Sequence, residues 1–110
     1  MAARKDSAVE ISDDEFEDRV KNGHKLVVVD FFAEWCMPCL MLSPIIDEVA
    51  DKMKEIKFVK INVDDNQELA RSLGVSGIPC LIIFKDGKEV SRIIGSRTSE
   101  EIEGKLRKLI

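Results

Sequence analysis

The chain has 110 residues, enough for one domain with one core and too few for two. It is 45% hydrophobic and 35% charged, with a formal net charge of −4. That balance argues against nucleic-acid binding, which needs a basic face, and no apolar run approaches the roughly 18 residues of a membrane helix.

Taken in chain order, Met1 to Ser7 reads as a short loose tail before a domain spanning 8–110. The tail mixes charges of both signs and lacks the apolar stretch of a secretory signal, so a cytoplasmic protein is expected. An edge strand is expected around Ala8 to Ile11. Ser12-Asp13-Asp14-Glu15 is a capping box that starts a helix running towards Asn22 and Gly23. Leu26 to Phe32 is a near-continuous apolar run of β-branched and aromatic residues, as in a strand buried on both faces. A helix then runs from Cys36 to about Lys52, with Leu42, Ile45, Ile46, Val49 and Met53 on one stripe. Pro44 falls inside it and predicts a bend or a brief break.

A second apolar strand is expected at Phe58 to Val63. Asp65 and Glu68 open a short helix that Gly74 closes. After the Gly77-Ile78-Pro79 turn comes a third strand, Cys80 to Phe84. Lys85-Asp86-Gly87-Lys88 places Asp-Gly in a two-residue hairpin turn, pairing Glu89 to Ile94 antiparallel with that strand. Thr98-Ser99-Glu100-Glu101 caps a last helix with Ile102, Leu106, Leu109 and Ile110 as its core stripe. Early alternation of strand and helix followed by a hairpin gives an α/β fold: a mixed sheet of four to five strands flanked by about four helices.

Three cysteines are too few for a disulfide scaffold. Trp35-Cys36-Met37-Pro38-Cys39 lies where the buried strand gives way to the amphipathic helix. Cys36 therefore falls at or next to a helix N-terminus, where free N–H groups and the dipole favour a thiolate, the species that attacks disulfides. Cys39 is one turn on, close enough to close a small disulfide ring. Pro38 suits the first turn, where its missing N–H has no helical partner anyway. The competing reading is half of a zinc site, but only Cys80 and His24 remain as further ligands and neither has zinc-module spacing. His24 reads better as a loop or capping residue.

The ordered set of motifs resembles the thioredoxin family. Val29-Asp30-Phe31-Phe32-Ala33-Glu34-Trp35-Cys36-Met37-Pro38-Cys39 is similar to its active-site strand and helix start, and Pro44 to its helix proline. Lys60-Ile61-Asn62-Val63-Asp64 matches its central strand, and Gly74-Val75-Ser76-Gly77-Ile78-Pro79 its cis-proline loop. Phe84-Lys85-Asp86-Gly87 and Gly95 complete the pattern. The resemblance implies the thioredoxin fold and a thiol–disulfide oxidoreductase with Cys36 as exposed nucleophile and Cys39 as buried resolving thiol. It implies a cis Pro79 facing the pair, and substrate contacts from Trp35, Met37, Pro38, Val75, Gly77, Ile78, Pro79 and Gly95. No bound cofactor or metal is needed, because the dithiol carries the electrons. The partners expected are disulfide-containing proteins and a thioredoxin-reductase-type donor, with no nucleic acid or membrane, and the chain acting as a monomer.

Asp30 is a carboxylate in an otherwise apolar strand, where burial raises its pKa. It sits either at a water-filled strand end or, by the resemblance, as a buried proton relay helped by Lys60. Met37 replaces the usual glycine, Phe32 a tryptophan, Leu40 a lysine and Cys80 a threonine. Residues between the cysteines tune the thiolate, so Met37 leaves the direction of the reaction open between reductase and oxidase or isomerase. A non-catalytic binding module is a further alternative. Cys80 reads either as a small buried hydrophobe turned away from the active pair or as a third thiol near it, able to trap a mixed disulfide or support regulation.

Overall fold

The computed structural model describes residues 8–22 and 26–110. The expected tail 1–7, Gly23 and His24 lie outside the described residues. Five strands form one sheet in the order β1-β3-β2-β4-β5: β1 (Val9–Glu10), β2 (Leu26–Phe32), β3 (Lys57–Asn62), β4 (Cys80–Lys85) and β5 (Lys88–Ile94). β3 runs parallel to β1 and β2, while β2–β4 and β4–β5 are antiparallel. The mixed sheet expected from the element order is thus present.

Strand alternation divides the apolar side chains into two cores. Leu26 and Val28 of β2 join Leu81 and Ile83 of β4 beneath α2 (Met37–Lys52) and α4 (Ser99–Arg107). Val27, Val29 and Phe31 join Val59, Ile61, Cys80 and Ile82 on the other face, with Phe16 and Val20 of the first helix. Leu69 and Leu73, from α3 (Gln67–Ser72) and its end, lie against this second core. Central β2 is buried on both faces, as its unbroken apolar run predicts.

The first helix differs from expectation in kind. α1 (Asp13–Phe16) passes into a π-helical turn at Glu17–Lys21, closed by the Asn22 N–H donating to the Glu17 carbonyl at 2.9 Å. α2 runs unbroken through Pro44, so the proline interrupts the hydrogen-bond ladder at the Leu40 carbonyl without interrupting the helix. Asn66, not Asp65, stands at the N-cap of α3. Its carboxamide is occupied elsewhere, accepting from the Asp13 N–H at 2.8 Å and donating to the Asn62 carbonyl at 2.9 Å. Gly74 closes α3 as expected, at φ 72°, with Val75 N–H reaching the Ala70 carbonyl. In α4, Ile102 and Leu106 are buried, but Ile110 is 61% exposed because the helix ends at Arg107.

The hairpin turn has both central residues at positive φ, Asp86 at 53° and Gly87 at 84°. A Cβ on Gly87 would stand 2.6 Å from the Lys21 carbonyl oxygen. Gly87→Ala is therefore expected to lower unfolding free energy by on the order of 2 kcal/mol, read as a shifted urea midpoint. An unchanged midpoint would refute this contact. One bulge follows, where the register shifts between Ile83 and Phe84, and Arg92 then binds Glu89 at 2.7 Å on the outer strand.

Candidate active site

β2 ends at Phe32, and the chain turns through Ala33-Glu34-Trp35 into α2. Cys36 is the N-cap of that helix, with extended backbone, and its sulfur accepts the Cys39 N–H at 3.2 Å. A helix start supplies unpaired N–H groups, and here one of them already points at the Cys36 sulfur. Cys36 and Cys39 are joined as a disulfide, their Cα atoms 5.2 Å apart. Both pack with Ala33, and Phe32, Val63 and Ile78 border them.

The expected contrast between an exposed Cys36 and a buried Cys39 is not present, since the two are 5% and 2% exposed. The same apolar surround that holds the ring covers both sulfurs. The accessible surface comes from their neighbours. Trp35 is 71% exposed and Met37 63%, Pro38 is also exposed, and Leu40 and Met41 extend the apolar surface along α2. The Trp35 indole is held by its Nε1–H donating to Asp64 Oδ2 at 2.7 Å.

The Ile78–Pro79 peptide bond is cis. Ile78 packs against the cysteine cluster, and the buried Pro79 offers its carbonyl to the Gly95 N–H at 2.8 Å. Gly95 adopts φ 90° and is half-buried, as is Gly77, which faces Ile94. Val75, half-buried, packs against the core on the other face of the sheet, as Ile78 also does, and does not touch the cysteine cluster.

Asp30 is 2% exposed, which removes the reading of a solvent-filled strand end. Burial raises its pKa to about 7, against a lowering by Lys60 and a further raising by Asp47. Lys60 stands opposite Asp30 in the β2–β3 register. Its ammonium donates to Ser43 Oγ of α2 at 2.6 Å, and Asp30 Oδ1 has no hydrogen-bond partner. Cys80 is a free, buried thiol on the opposite face of the sheet, paired in register with Phe31, and burial pushes its pKa up. Among the described residues no three His, Cys, Asp or Glu side chains group as metal ligands.

Sequence reasoning passed over Asp64, Ser43 and Asp47. The signal for the last two was available: Cys39, Ser43 and Asp47 recur at spacings of four, a polar stripe beside the apolar one.

Residues 7–108 match the family model described as Thioredoxin. The chain belongs to the thioredoxin family. It is 47% identical over 90 residues to a thioredoxin from Chlamydia pneumoniae, covering 82% of this chain and 86% of that one. With a thioredoxin from Pyropia yezoensis it shares 42% identity over 105 residues, covering 94% and 98%. A solved structure of a thioredoxin mutant from Halobacterium salinarum NRC-1 superposes with a TM-score of 0.86 at 30% identity, covering 97% of this chain and 95% of that one. This thioredoxin-family chain is therefore a thiol–disulfide oxidoreductase, and its Cys-Met-Pro-Cys segment is the family's CxxC pair. Thioredoxins act on disulfide substrates and are recharged by a thioredoxin reductase. No helix among the described residues is long and apolar enough to cross a membrane.

Proposed function

We propose that the protein is a disulfide reductase of other proteins, acting through Cys36 as nucleophile and Cys39 as resolving thiol. The observation that carries this is the placement of Cys36 at the N-cap of α2 with an N–H aimed at its sulfur, an arrangement that stabilises a thiolate. In the reduced protein the Cys36 thiolate attacks one sulfur of a substrate disulfide. A mixed disulfide forms, and the other substrate sulfur leaves as a thiolate that takes up a proton. Cys39 then loses its proton and attacks the Cys36 sulfur. The intramolecular disulfide closes and the second substrate thiol is released, so two electrons pass from dithiol to substrate.

Asp30 is the acceptor of the Cys39 proton in this reading. A carboxyl whose pKa lies near 7 is matched to taking and returning a proton at neutral pH. Trp35, Met37, Pro38, Gly77, Ile78, Pro79 and Gly95 form the surface that receives the substrate chain, with the exposed Trp35 and Met37 supplying its apolar part. The protein works as a cytoplasmic monomer in electron transport and redox homeostasis, with a thioredoxin-reductase-type enzyme returning the electrons.

The test is the reduction potential of the Cys36–Cys39 pair, measured in graded dithiol buffers with the sole tryptophan, Trp35, as fluorescent reporter. A value around −270 mV is expected for a reductase, whereas about −180 to −120 mV would replace this reading with an isomerase or oxidase.

A further inference from the structure

A buried carboxyl facing a lysine across two strands ordinarily draws the ammonium into an ion pair. Here it does not. Asp30 and Lys60 are register partners, yet among the described residues no ion pair joins them, and Asp30 Oδ1 is buried without a hydrogen-bond partner. The lysine instead spends a short hydrogen bond of 2.6 Å on Ser43 Oγ. Ser43 lies one helical turn beyond Cys39 and one turn before Asp47, whose Oδ1 is likewise buried and unpartnered. The three form a polar stripe on α2 that meets Asp30 and Lys60 of the sheet.

We propose that Ser43 is a positioning residue that diverts the Lys60 ammonium from Asp30 and so keeps Asp30 a proton-carrying acid. This rests on the reading of Asp30 as the acceptor of the Cys39 proton. The groups acting on Asp30 are few. Among the described residues β3 contributes Lys60, α2 contributes Asp47, and β4 contributes Leu81 opposite it and the Cys80 thiol on the far face. α4 brings only apolar Ile102 and Leu106 to the shared core. Among the described residues Lys60 is the cation that acts on the carboxylate, and the Ser43 hydroxyl is what holds it off.

The experiment is a carboxyl NMR titration of Asp30 between pH 4 and 9 in the intact oxidised protein, with Ser43→Ala, Ser43→Thr, Lys60→Met and the Ser43→Ala/Lys60→Met pair. Ser43→Ala frees Lys60 and lowers the Asp30 midpoint by about one pH unit, as an opposite charge at contact distance does. Ser43→Thr keeps the hydroxyl and the native midpoint. In the Lys60→Met background, Ser43→Ala has no further effect. An Asp30 midpoint unchanged or raised in Ser43→Ala overturns the role of Ser43, and so does a lowering that persists without Lys60. If Asp30 of the unmodified protein titrates near pH 4, the relay reading itself fails, a separate outcome from the failure of Ser43.

Discussion

Replacing Cys36 with serine is expected to abolish multiple-turnover disulfide reduction, by about 10⁴-fold or more, because a serine hydroxyl has no anion to offer at neutral pH. Cys39→Ser gives the opposite kinetic picture. The nucleophile and its N-cap site remain, and the Cys39 N–H that points at the Cys36 sulfur is a backbone group that the substitution keeps. Attack therefore proceeds and release does not, so one equivalent of mixed disulfide accumulates and is freed by an added small dithiol. Intact mass and peptide mapping read this directly. Turnover by the Cys36→Ser protein would refute the assignment. So would a trapped bond mapping to Cys80, which is buried on the other face of the sheet with its thiol held protonated.

The second large effect concerns stability. Asp30→Asn is expected to raise the unfolding free energy at pH 8 while slowing release of the mixed disulfide by about 10²-fold. The carboxyl titrates at about 7 in the folded protein against 3.8 as its ordinary value, chiefly because burial disfavours the anion. Between those limits the folded chain holds a proton that the unfolded chain has given up. Stability therefore falls as pH rises through this window, and the loss is complete above it. Asparagine mimics the neutral acid and escapes the loss, for a gain of roughly 2–4 kcal/mol at pH 8 and almost none at pH 4. Urea unfolding of both proteins at the two pH values measures it. A native stability that stays level from pH 5 to 8, or a variant with the same pH dependence, would contradict the buried acid.

Wherever local chemistry decides the structure, the sequence was a sufficient guide. The Thr98–Glu101 capping box forms reciprocally, with 2.9 and 3.1 Å bonds, because both partners lie within one turn. Asp86-Gly87 makes its two-residue turn because both positions take positive φ. The Cys36 N-cap follows from a strand ending just before a helix. What escaped depended on contacts far along the chain. Asn66 took the α3 N-cap position while its side chain bound Asp13, 53 residues away. The π turn at Glu17–Lys21 seats Val20 in the core, a demand of packing that no capping signal records. The spacing of Ser43 from Cys39 marks it as polar on that helix face, but its partner Lys60 comes from β3, 17 residues further along the chain. The covering of Cys36 likewise comes from Val63 and Ile78, on two other segments of the chain.

The outer strand β5 has a bearing on the company this protein keeps. An exposed sheet edge invites other extended chains to zip on. β5 answers with a bulge beside Phe84, which breaks the even spacing of its free backbone groups, and with Lys88, Glu89 and Arg92 along its length. The Arg92 guanidinium also binds the carbonyls of Leu73 and Gly74, which fastens that edge to the end of α3. The flank of the sheet thus resists the addition of a further strand, which keeps chain pairing there apart from the cysteine chemistry at the start of α2.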